Sequence, residues 1–393
     1  MSRDSVASGS AATETPPGDG ATRWMARALE LAARARGETS PNPMVGAVIV
    51  RGDEVLGEGW HHRAGGPHAE IEALSDAARR GADVRGATMF VTLEPCCHTG
   101  RTGPCTKAVI AAGIWRVVVA ADDPNPLVAG QGVAELEAAG IAVERGVLAT
   151  AARELNRIFM RWIPARAPFV TLKLAMSLDG RIARRAGERT AVTGALAQQR
   201  VMELRAEHDA VLVGRRTAEI DRPRLTVRGL PSADEARSGG PNPWRVVVDS
   251  RLELPRDLPL WSGAPGAIAL TALAPTDPRV AAWQADGVEV VCAPGAGGWV
   301  DLASALDVLG RRERPLTSVL CEGGGAVAAS LLGAGRVDEL ILHVAPTFFG
   351  ADGVPAVGAL DAVVDGFERV DTRPLGADLE LRYRPRTARA GGE

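Results

Sequence analysis

Three short segments of this chain carry side chains that together could do chemistry. They are His68-Ala69-Glu70, Glu94-Pro95-Cys96 and Pro104-Cys105. An imidazole and two thiolates are good ligands for Zn²⁺, and three protein ligands leave the fourth tetrahedral position to water. Water held there loses a proton near neutral pH and becomes a nucleophile. Glu70 lies two residues past His68, outside the ligand set, where a carboxylate can shuttle a proton. Cys105 opens a short helix, whose N-terminal dipole favours the thiolate. Cys97 competes as a ligand by adjacency, and His98 is a further imidazole beside the cluster. Cys96 is preferred because it follows Pro95. A structural zinc, or reduced thiols that bind nothing, is the alternative, and neither gives Glu70 a use.

The order H-x-E…P-C…C is the pattern of zinc deaminases, which attack an amino-bearing ring carbon with activated water. Eight residues, Cys97 to Pro104, separate Cys96 from Cys105, where the generic pattern has two. The insert carries His98 and Arg101, suited to a phosphate or a polar ring. The second half offers weaker signals. Lys173-Leu174-Ala175-Met176-Ser177-Leu178-Asp179-Gly180 ends an apolar run in polar groups, where α/β sheets place ligands. Val319-Leu320-Cys321-Glu322-Gly323-Gly324-Gly325-Ala326 reads as strand, glycine turn and helix. The N–H groups at that helix start could hold a cofactor phosphate; tight turning alone is the competing explanation.

These residues need elements to position them. Helical spacing follows Thr22 and ends at Gly37. Met44–Val50 and Glu54–Trp60 flank Arg51-Gly52-Asp53 as a hairpin. A helix from His68 is expected to turn Ile71, Leu74 and Ala78 inward. Thr88–Glu94 and Trp115–Ala121 are buried strands, Pro104–Ala112 and Gly132–Ala139 helices, and Gly146–Ile158 a further helix. This alternation predicts a three-layer α/β domain. Past Pro164 a second α/β run begins. Its strands are expected at 169–175, 210–213, 245–249, 267–270, 288–292, 318–322 and 339–344, with helices at 195–207, 299–309 and up to Leu332. Leu230–Pro243 reads as an exposed loop.

Length and composition set bounds. At 393 residues the chain is long enough for two cores. With 45 basic against 48 acidic residues it offers no broad basic surface, which argues against nucleic-acid binding. All but Lys107 and Lys173 of the basic residues are Arg. No apolar run is long enough for a membrane span, and the first twenty residues lack the apolar core of a secretory signal. Five cysteines, three of them clustered, suit a reducing compartment, so a cytoplasmic protein is expected.

The motifs together resemble the bifunctional riboflavin-biosynthesis deaminase/reductase family. The deaminase half resembles it through Pro41-Asn42-Pro43, Val45-Gly46, His61…Gly65…His68-Ala69-Glu70 and E-P-C-x-H-x-G-R-T-x-P-C. The likeness continues through Asp123-Pro124-Asn125-Pro126, Ala129-Gly130 and Leu155-Asn156. The long Cys spacing is rather specific to it. The resemblance implies a cytidine-deaminase-like domain over 21–163 that hydrolyses the 2-amino group of a diaminopyrimidinone ribosylamine phosphate. Asn42, His61, His98, Arg101, Asp123 and Asn125 match positions lining the family's pocket. Turn chemistry between prolines is the other account of Asn42 and Asn125.

Residues 169–384 resemble the family's reductase domain, whose fold is similar to dihydrofolate reductase. The resemblance implies NADPH as cofactor, met by Ala175, Thr217, Asp221, Ser250 and the segment from Gly324 and Gly325 to Ser330. It implies that Arg205, Leu225, Arg228 and Glu322 meet the substrate, with the two Arg suited to its phosphate. Lys173 and Asp179 are expected in a proton or polarising role, with a strand-end salt bridge as the alternative. The organisation is then a disordered tail at 1–20, the deaminase, a linker at 164–168, the reductase and a frayed end at 385–393. A homo-oligomer without membrane or nucleic-acid partners is implied. The chain departs from the family in one place. Arg189 stands where Ser is usual, Ala191 where a cofactor-facing Trp is usual, and Arg222 replaces an Asp. An active deaminase with an impaired or retargeted reductase-like module is the competing reading.

Overall fold

The computed structural model describes residues 19–98, 103–126, 128–230, 242–358 and 366–386. Most of the two expected tails and of the loop at 230–243 lies outside these residues. The chain divides between Arg157 and Ile158 into two compact units.

The first unit runs α1 (Asp19–Ala33), β1 (Gly46–Arg51), β2 (Glu54–Trp60), α2 (Ala69–Arg79), β3 (Thr88–Leu93), α3 (Cys105–Ala111), β4 (Arg116–Ala121), α4 (Gln131–Ala138), β5 (Ala142–Arg145) and α5 (Ala149–Leu155). The sheet order is β2-β1-β3-β4-β5. β1 is antiparallel to both neighbours, whereas β3, β4 and β5 are parallel. Glycine decides how the helices seat. A Cβ on Gly46 would collide with the Ala28 carbonyl and stand 2.8 Å from the Ala32 nitrogen, so α1 lies directly on β1. On β2, a Cβ on Gly57 would stand 2.8 Å from the Ala77 nitrogen, and one on Gly59 would stand 2.6 Å from the Glu72 Cβ. Gly46 pairs with Trp60 while Gly59 pairs with Ala47, so the two floors face opposite sides of the sheet. The three expected layers follow.

This seating corrects the expected inner face of α2. Ala69, Glu70, Ala73 and Ala77 are the buried residues, while Ile71 and Leu74 are only partly covered and Ala78 is exposed. A helix resting on glycines buries its smallest side chains, because there is no room for larger ones. The expected helix 146–158 is also corrected. It is α5, a break at Asn156, and then α6 (Arg157–Ala165), which takes in Pro164. Asn156 leaves the helix because its side-chain amide is bonded to both the N–H and the C=O of Met44, each at 2.8 Å.

The second unit continues with β6 (Phe169–Ser177), β7 (Arg181–Ala183), α7 (Ala195–Glu207), β8 (Ala210–Gly214), α8 (Arg215–Asp221), β9 (Trp244–Val248) and β10 (Ala267–Thr271). It ends with α9 (Pro278–Ala285), β11 (Glu289–Cys292), α10 (Leu302–Arg311), β12 (Ser318–Cys321), α11 (Gly325–Gly333), β13 (Glu339–Ala345), β14 (Val354–Pro355), β15 (Phe367–Leu375) and β16 (Asp378–Pro385). One nine-stranded sheet has the order β11-β10-β9-β8-β12-β6-β13-β16-β15. The first seven in that order are parallel, and their near-continuous apolar runs are what a sheet covered on both faces requires. The antiparallel pair β15–β16 closes one edge and was not expected, since Glu368–Pro374 faces solvent and carries no strand-like burial. Helix α10 starts at Leu302, three residues later than expected, because the Asp301 carboxylate accepts from the N–H groups of Ala303 and Ser304.

The glycine floor yields a test. Gly59→Ala should destabilise the chain by about 1–3 kcal/mol through overpacking and lower its zinc content. Gly333→Ala, where a Cβ meets nothing within 4 Å, should leave both unchanged; thermal unfolding and metal analysis read the pair.

Candidate active sites

The first candidate site sits where α2, the end of β3 and the start of α3 meet. His68 directly precedes α2 and Cys105 opens α3. His68 Nδ1 lies 3.2 Å from the Cys105 sulfur and 3.4 Å from the Cys96 sulfur. The three ligand atoms all lie within 4.8 Å of one another. The charge balance of this cluster tests the fit to zinc. The Cys105 thiol and His68 donate toward Cys96 and hold its thiol down at about 4. The Cys96 thiolate in turn pushes the buried Cys105 thiol strongly upward, and its bond raises His68. Two thiols that cannot both ionise unaided, with an imidazole at the third corner, are the donor set that a Zn²⁺ ion completes. Cys97, the competing ligand, falls outside this set; its sulfur stands 4.0 Å from Gln131 Oε1.

Glu70 is buried on the first turn of α2. Burial, followed by the nearby Cys96 charge, raises its carboxyl to about 7. His61 packs edge-on against His68, with ring centroids 5.5 Å apart. Its Nδ1 is 2.8 Å from the Pro67 carbonyl, which can only accept, so the proton sits there. Burial keeps the ring neutral, and Nε2 accepts from Asn42 Nδ2 at 3.2 Å. Asn42 and His61 are thus brought to the metal cluster, and Asn42 is spent partly on orienting His61. Asp123 is buried, accepts from the Asn125 N–H at 2.8 Å, and is pushed up to about 6 by that burial. His98 acts on Asp123 as a charge from the exposed rim. Arg101 lies outside the described residues.

Two residues at this site had no role assigned from the sequence. Asn156 pins Met44 and with it the entry to β1. Glu94 is buried, and its carboxylate accepts from the N–H groups of Gly130 at 3.0 Å, Val133 at 3.2 Å and Asp123 at 3.4 Å. It ties the end of β3 to the segment that carries Asp123 and Asn125. The E-P-C motif contained that signal, because a carboxylate at a strand end beside a glycine-started helix can gather N–H groups.

In the second unit the polar groups gather at the C-terminal ends of parallel strands. Cys321 pairs with Leu172, so Glu322 and Lys173 follow at the same level on adjacent strands. Arg205 grips Glu322 through Nε at 2.5 Å and Nη2 at 2.7 Å, and Nη1 reaches the Thr226 carbonyl at 2.9 Å. Arg205, expected at the phosphate, is therefore first of all the clamp on Glu322. Arg228 donates to Thr226 Oγ1 at 2.8 Å and stays exposed. Leu225 has a left-handed backbone (φ 54°) and its side chain lies in the core. Asp179 is not free for proton work. It accepts from Ser177 Oγ at 2.5 Å and from the N–H groups of Phe349 and Gly350.

The glycine turn forms a cradle. Gly323 and Gly324 both have positive φ. A Cβ on Gly324 would stand 3.3 Å from Thr217 Oγ1, and one on Gly325 would stand 3.0 Å from the Pro355 carbonyl. Helix α11 starts at this turn, and a helix start behind close-packed glycines suits a dinucleotide phosphate. Ala175 and Asp221 are partly exposed. Arg189 acts as a cation on Asp221. Ser250 is drawn inward, its Oγ accepting from the Val300 N–H at 3.3 Å.

The two units define a chain that joins a zinc deaminase centre to a nucleotide-dependent reductase. Residues 20–121 match the cytidine and deoxycytidylate deaminase zinc-binding region, and residues 168–380 match the RibD C-terminal domain. The riboflavin biosynthesis protein RibD of Escherichia coli is 40% identical over 369 residues, covering 91% of this chain and 97% of that protein. Acinetobacter baumannii RibD has a TM-score of 0.83 at 36% identity, covering 93% and 99% of the two chains. The Thermotoga maritima diaminohydroxyphosphoribosylaminopyrimidine deaminase/5-amino-6-(5-phosphoribosylamino)uracil reductase has 0.80 at 34%, covering 93% and 98%. The chain belongs to the RibD family.

Replacing Glu94 by Ala would strip the shared acceptor from three N–H groups. The expected loss is at least about 2 kcal/mol of stability, with a raised KM for deamination and an unchanged zinc content; denaturant titration, kinetics and metal analysis check it.

Proposed function

We propose that His68, Cys96 and Cys105 hold zinc and that Glu70 moves the protons of a hydrolytic deamination in riboflavin biosynthesis, followed by an NADPH-dependent reduction in the second unit. The observation that carries the reading is the triangle of His68, Cys96 and Cys105, with ligand atoms within 4.8 Å of one another, and the buried Glu70 carboxyl on the adjoining first turn of α2. A general acid–base works best with a pKa near the operating pH. When bound, zinc supplies water that ionises near neutrality. Glu70 would take the two protons of that water in turn on its carboxylate, passing one to the ring nitrogen and one to the leaving amine, so that N=C–NH₂ becomes HN–C=O and ammonia departs. Asn42 and the neutral His61 border the ring, and Asp123 with Asn125 closes the other side. The proposed substrate is the diaminopyrimidinone ribosylamine phosphate, with His98 and Arg101 toward its polar periphery.

For the second step NADPH supplies the hydride. The glycine cradle at Gly324 and Gly325 holds its phosphates, with Ala175, Thr217, Asp221 and Ser250 around it. Glu322, fixed by Arg205, binds the sugar, Lys173 holds a proton beside it, and Arg228 faces the 5′-phosphate. The ring-opened ribose is reduced at C1 to a ribityl chain. The family match through residue 380 favours a working reductase over an impaired module. The five cysteines are free thiols, which supports a cytoplasmic setting, and no helix among the described residues is long and apolar enough to cross a membrane. A homo-oligomer is proposed from the family likeness, to be read by light scattering.

Glu70→Gln should keep its zinc, lose ammonia release by a factor of about 10²–10⁴, and still oxidise NADPH when given the deaminated intermediate. Retained ammonia release would remove Glu70 from the proton role, and absent NADPH oxidation by the unaltered chain would overturn the reductase reading.

A further inference from the structure

Residues 346–358 follow β13 and cross from one turn of the reductase site to the other. At the near end they are held by the turn after β6. The Leu178 N–H donates to the Thr347 carbonyl at 2.8 Å. The Asp179 carboxylate then accepts from the Phe349 N–H on Oδ1 at 3.1 Å and from the Gly350 N–H on Oδ2 at 2.8 Å. Ser177 Oγ donates to it at 2.5 Å and accepts from the Arg181 N–H at 3.0 Å, which fixes the carboxylate to its own turn. The segment runs on against β7. A Cβ on Gly353 would stand 2.7 Å from the Arg181 Cγ, and β14 pairs antiparallel with β7.

The far end meets the glycine turn. The Ala356 N–H donates to the Gly180 carbonyl at 2.9 Å, and Ala356 is buried. Two residues on, the Gly358 N–H donates to the Gly325 carbonyl at 2.8 Å. Gly325 is the first residue of α11, and a Cβ on it would stand 3.0 Å from the Pro355 carbonyl. The first residue of that helix is therefore held from outside by the same segment that Asp179 holds. A phosphate bound at a helix start depends on where the first turn lies. Resting on the reading of the glycine turn as the NADPH phosphate site, we propose that Asp179 is a positioning residue for the cofactor: its carboxylate anchors residues 346–358 as a strap, and the strap sets the start of α11.

An ionised carboxylate suits this task. Each of its oxygens takes an N–H group of the strap, and charge-assisted bonds of this kind are stronger than neutral ones. The Ser177 bond, with the two N–H groups, holds the carboxyl down at about 2, so the anchor stays charged wherever the enzyme works. An amide in its place keeps one accepting oxygen and turns its NH₂ toward a donor, so one of the two ties is lost. The loosened strap then lets Pro355–Gly358 move against α11, and the phosphates lose a fixed seat. Once NADPH is seated the hydride step is unchanged, so the effect falls on affinity and not on turnover.

NADPH fluorescence titrates cofactor binding to the full protein without turnover. Asp179→Asn should weaken that binding by about tenfold, the effect of losing one hydrogen bond to a charged group, and the KM for NADPH should rise with it. The kcat at saturating NADPH and the rate of deamination should stay at wild type. Gly358→Ala puts a Cβ 3.1 Å from the Gly325 carbonyl and disturbs the same strap from its far end. It should weaken binding too, and the double variant should fall short of the product of the two effects, because both act through one contact. If Asp179→Asn does not fold, Ser177→Ala removes a donor from the same carboxylate and should weaken NADPH binding in the same sense. Wild-type NADPH binding in the folded variants, even with a lower melting temperature, overturns the proposal, since the strap then serves the fold alone. A lowered kcat with unchanged binding also overturns it and returns Asp179 to proton work. So do two effects that multiply in full, because the strap then links nothing. Failure of the unaltered chain to bind NADPH would overturn the reading of the glycine turn and the proposal with it, whatever the variants show.

Discussion

The deaminase half depends on how closely α2 can lie on β2. Without Cβ atoms on Gly57 and Gly59, the helix backbone comes down onto the strand and turns its alanines inward. The start of α2 then falls where β3 ends and α3 begins, which brings His68 to Cys96 and Cys105. The same seating removes Glu70 from water. A carboxyl in that position costs stability as long as it is charged, and the cost is what lifts it toward neutrality. The packing and the raised Glu70 carboxyl thus come from one contact. A helix carrying larger residues on this face would stand off the sheet, and both the His68–Cys96–Cys105 triangle and the burial of Glu70 would be lost.

The reductase half solves a different electrostatic problem. Its site sits at the C-terminal ends of parallel strands, and its charges are fixed by pairing rather than by a metal. Arg205 spends its fork on Glu322, which makes Glu322 rigid and leaves Arg228 as the accessible cation. Asp179 is consumed in holding the Phe349–Gly350 turn, so the polar end of the Lys173–Gly180 motif builds structure as much as site. The lysine that opens the motif is the part buried among opposing charges.

What the sequence disclosed followed from how local each signal was. His68, Glu70, Cys96 and Cys105 were legible because chemistry constrained residue types within short motifs. Helix α7 and the buried parallel strands were legible because apolar runs of the right length have few alternatives. The inner face of α2 was misread because large apolar residues were taken as the core, while the glycines that reverse the choice lie on another element. β15 was missed because an edge strand facing solvent has no reason to alternate in the expected way. Glu94 stood within a recognised motif, but its role required knowing that the Gly130–Val133 backbone returns to it.

The departures from the family at Arg189 and Ala191 can be weighed in the same terms. Loss of a buried Trp would leave a cavity costing several kcal/mol. Ala191 is exposed, so the smaller residue leaves no void in a core that must be refilled. Arg189 is also exposed, and its charge acts on Asp221, at the end of α8. Arg222 has a left-handed backbone and is paired with Asp257 at 2.7 Å. The changes therefore fall on the rim, where they alter charge and surface. Lys173, Arg205, Glu322 and the glycine turn are untouched by them, and that is the physical reason they do not argue for a disabled reductase.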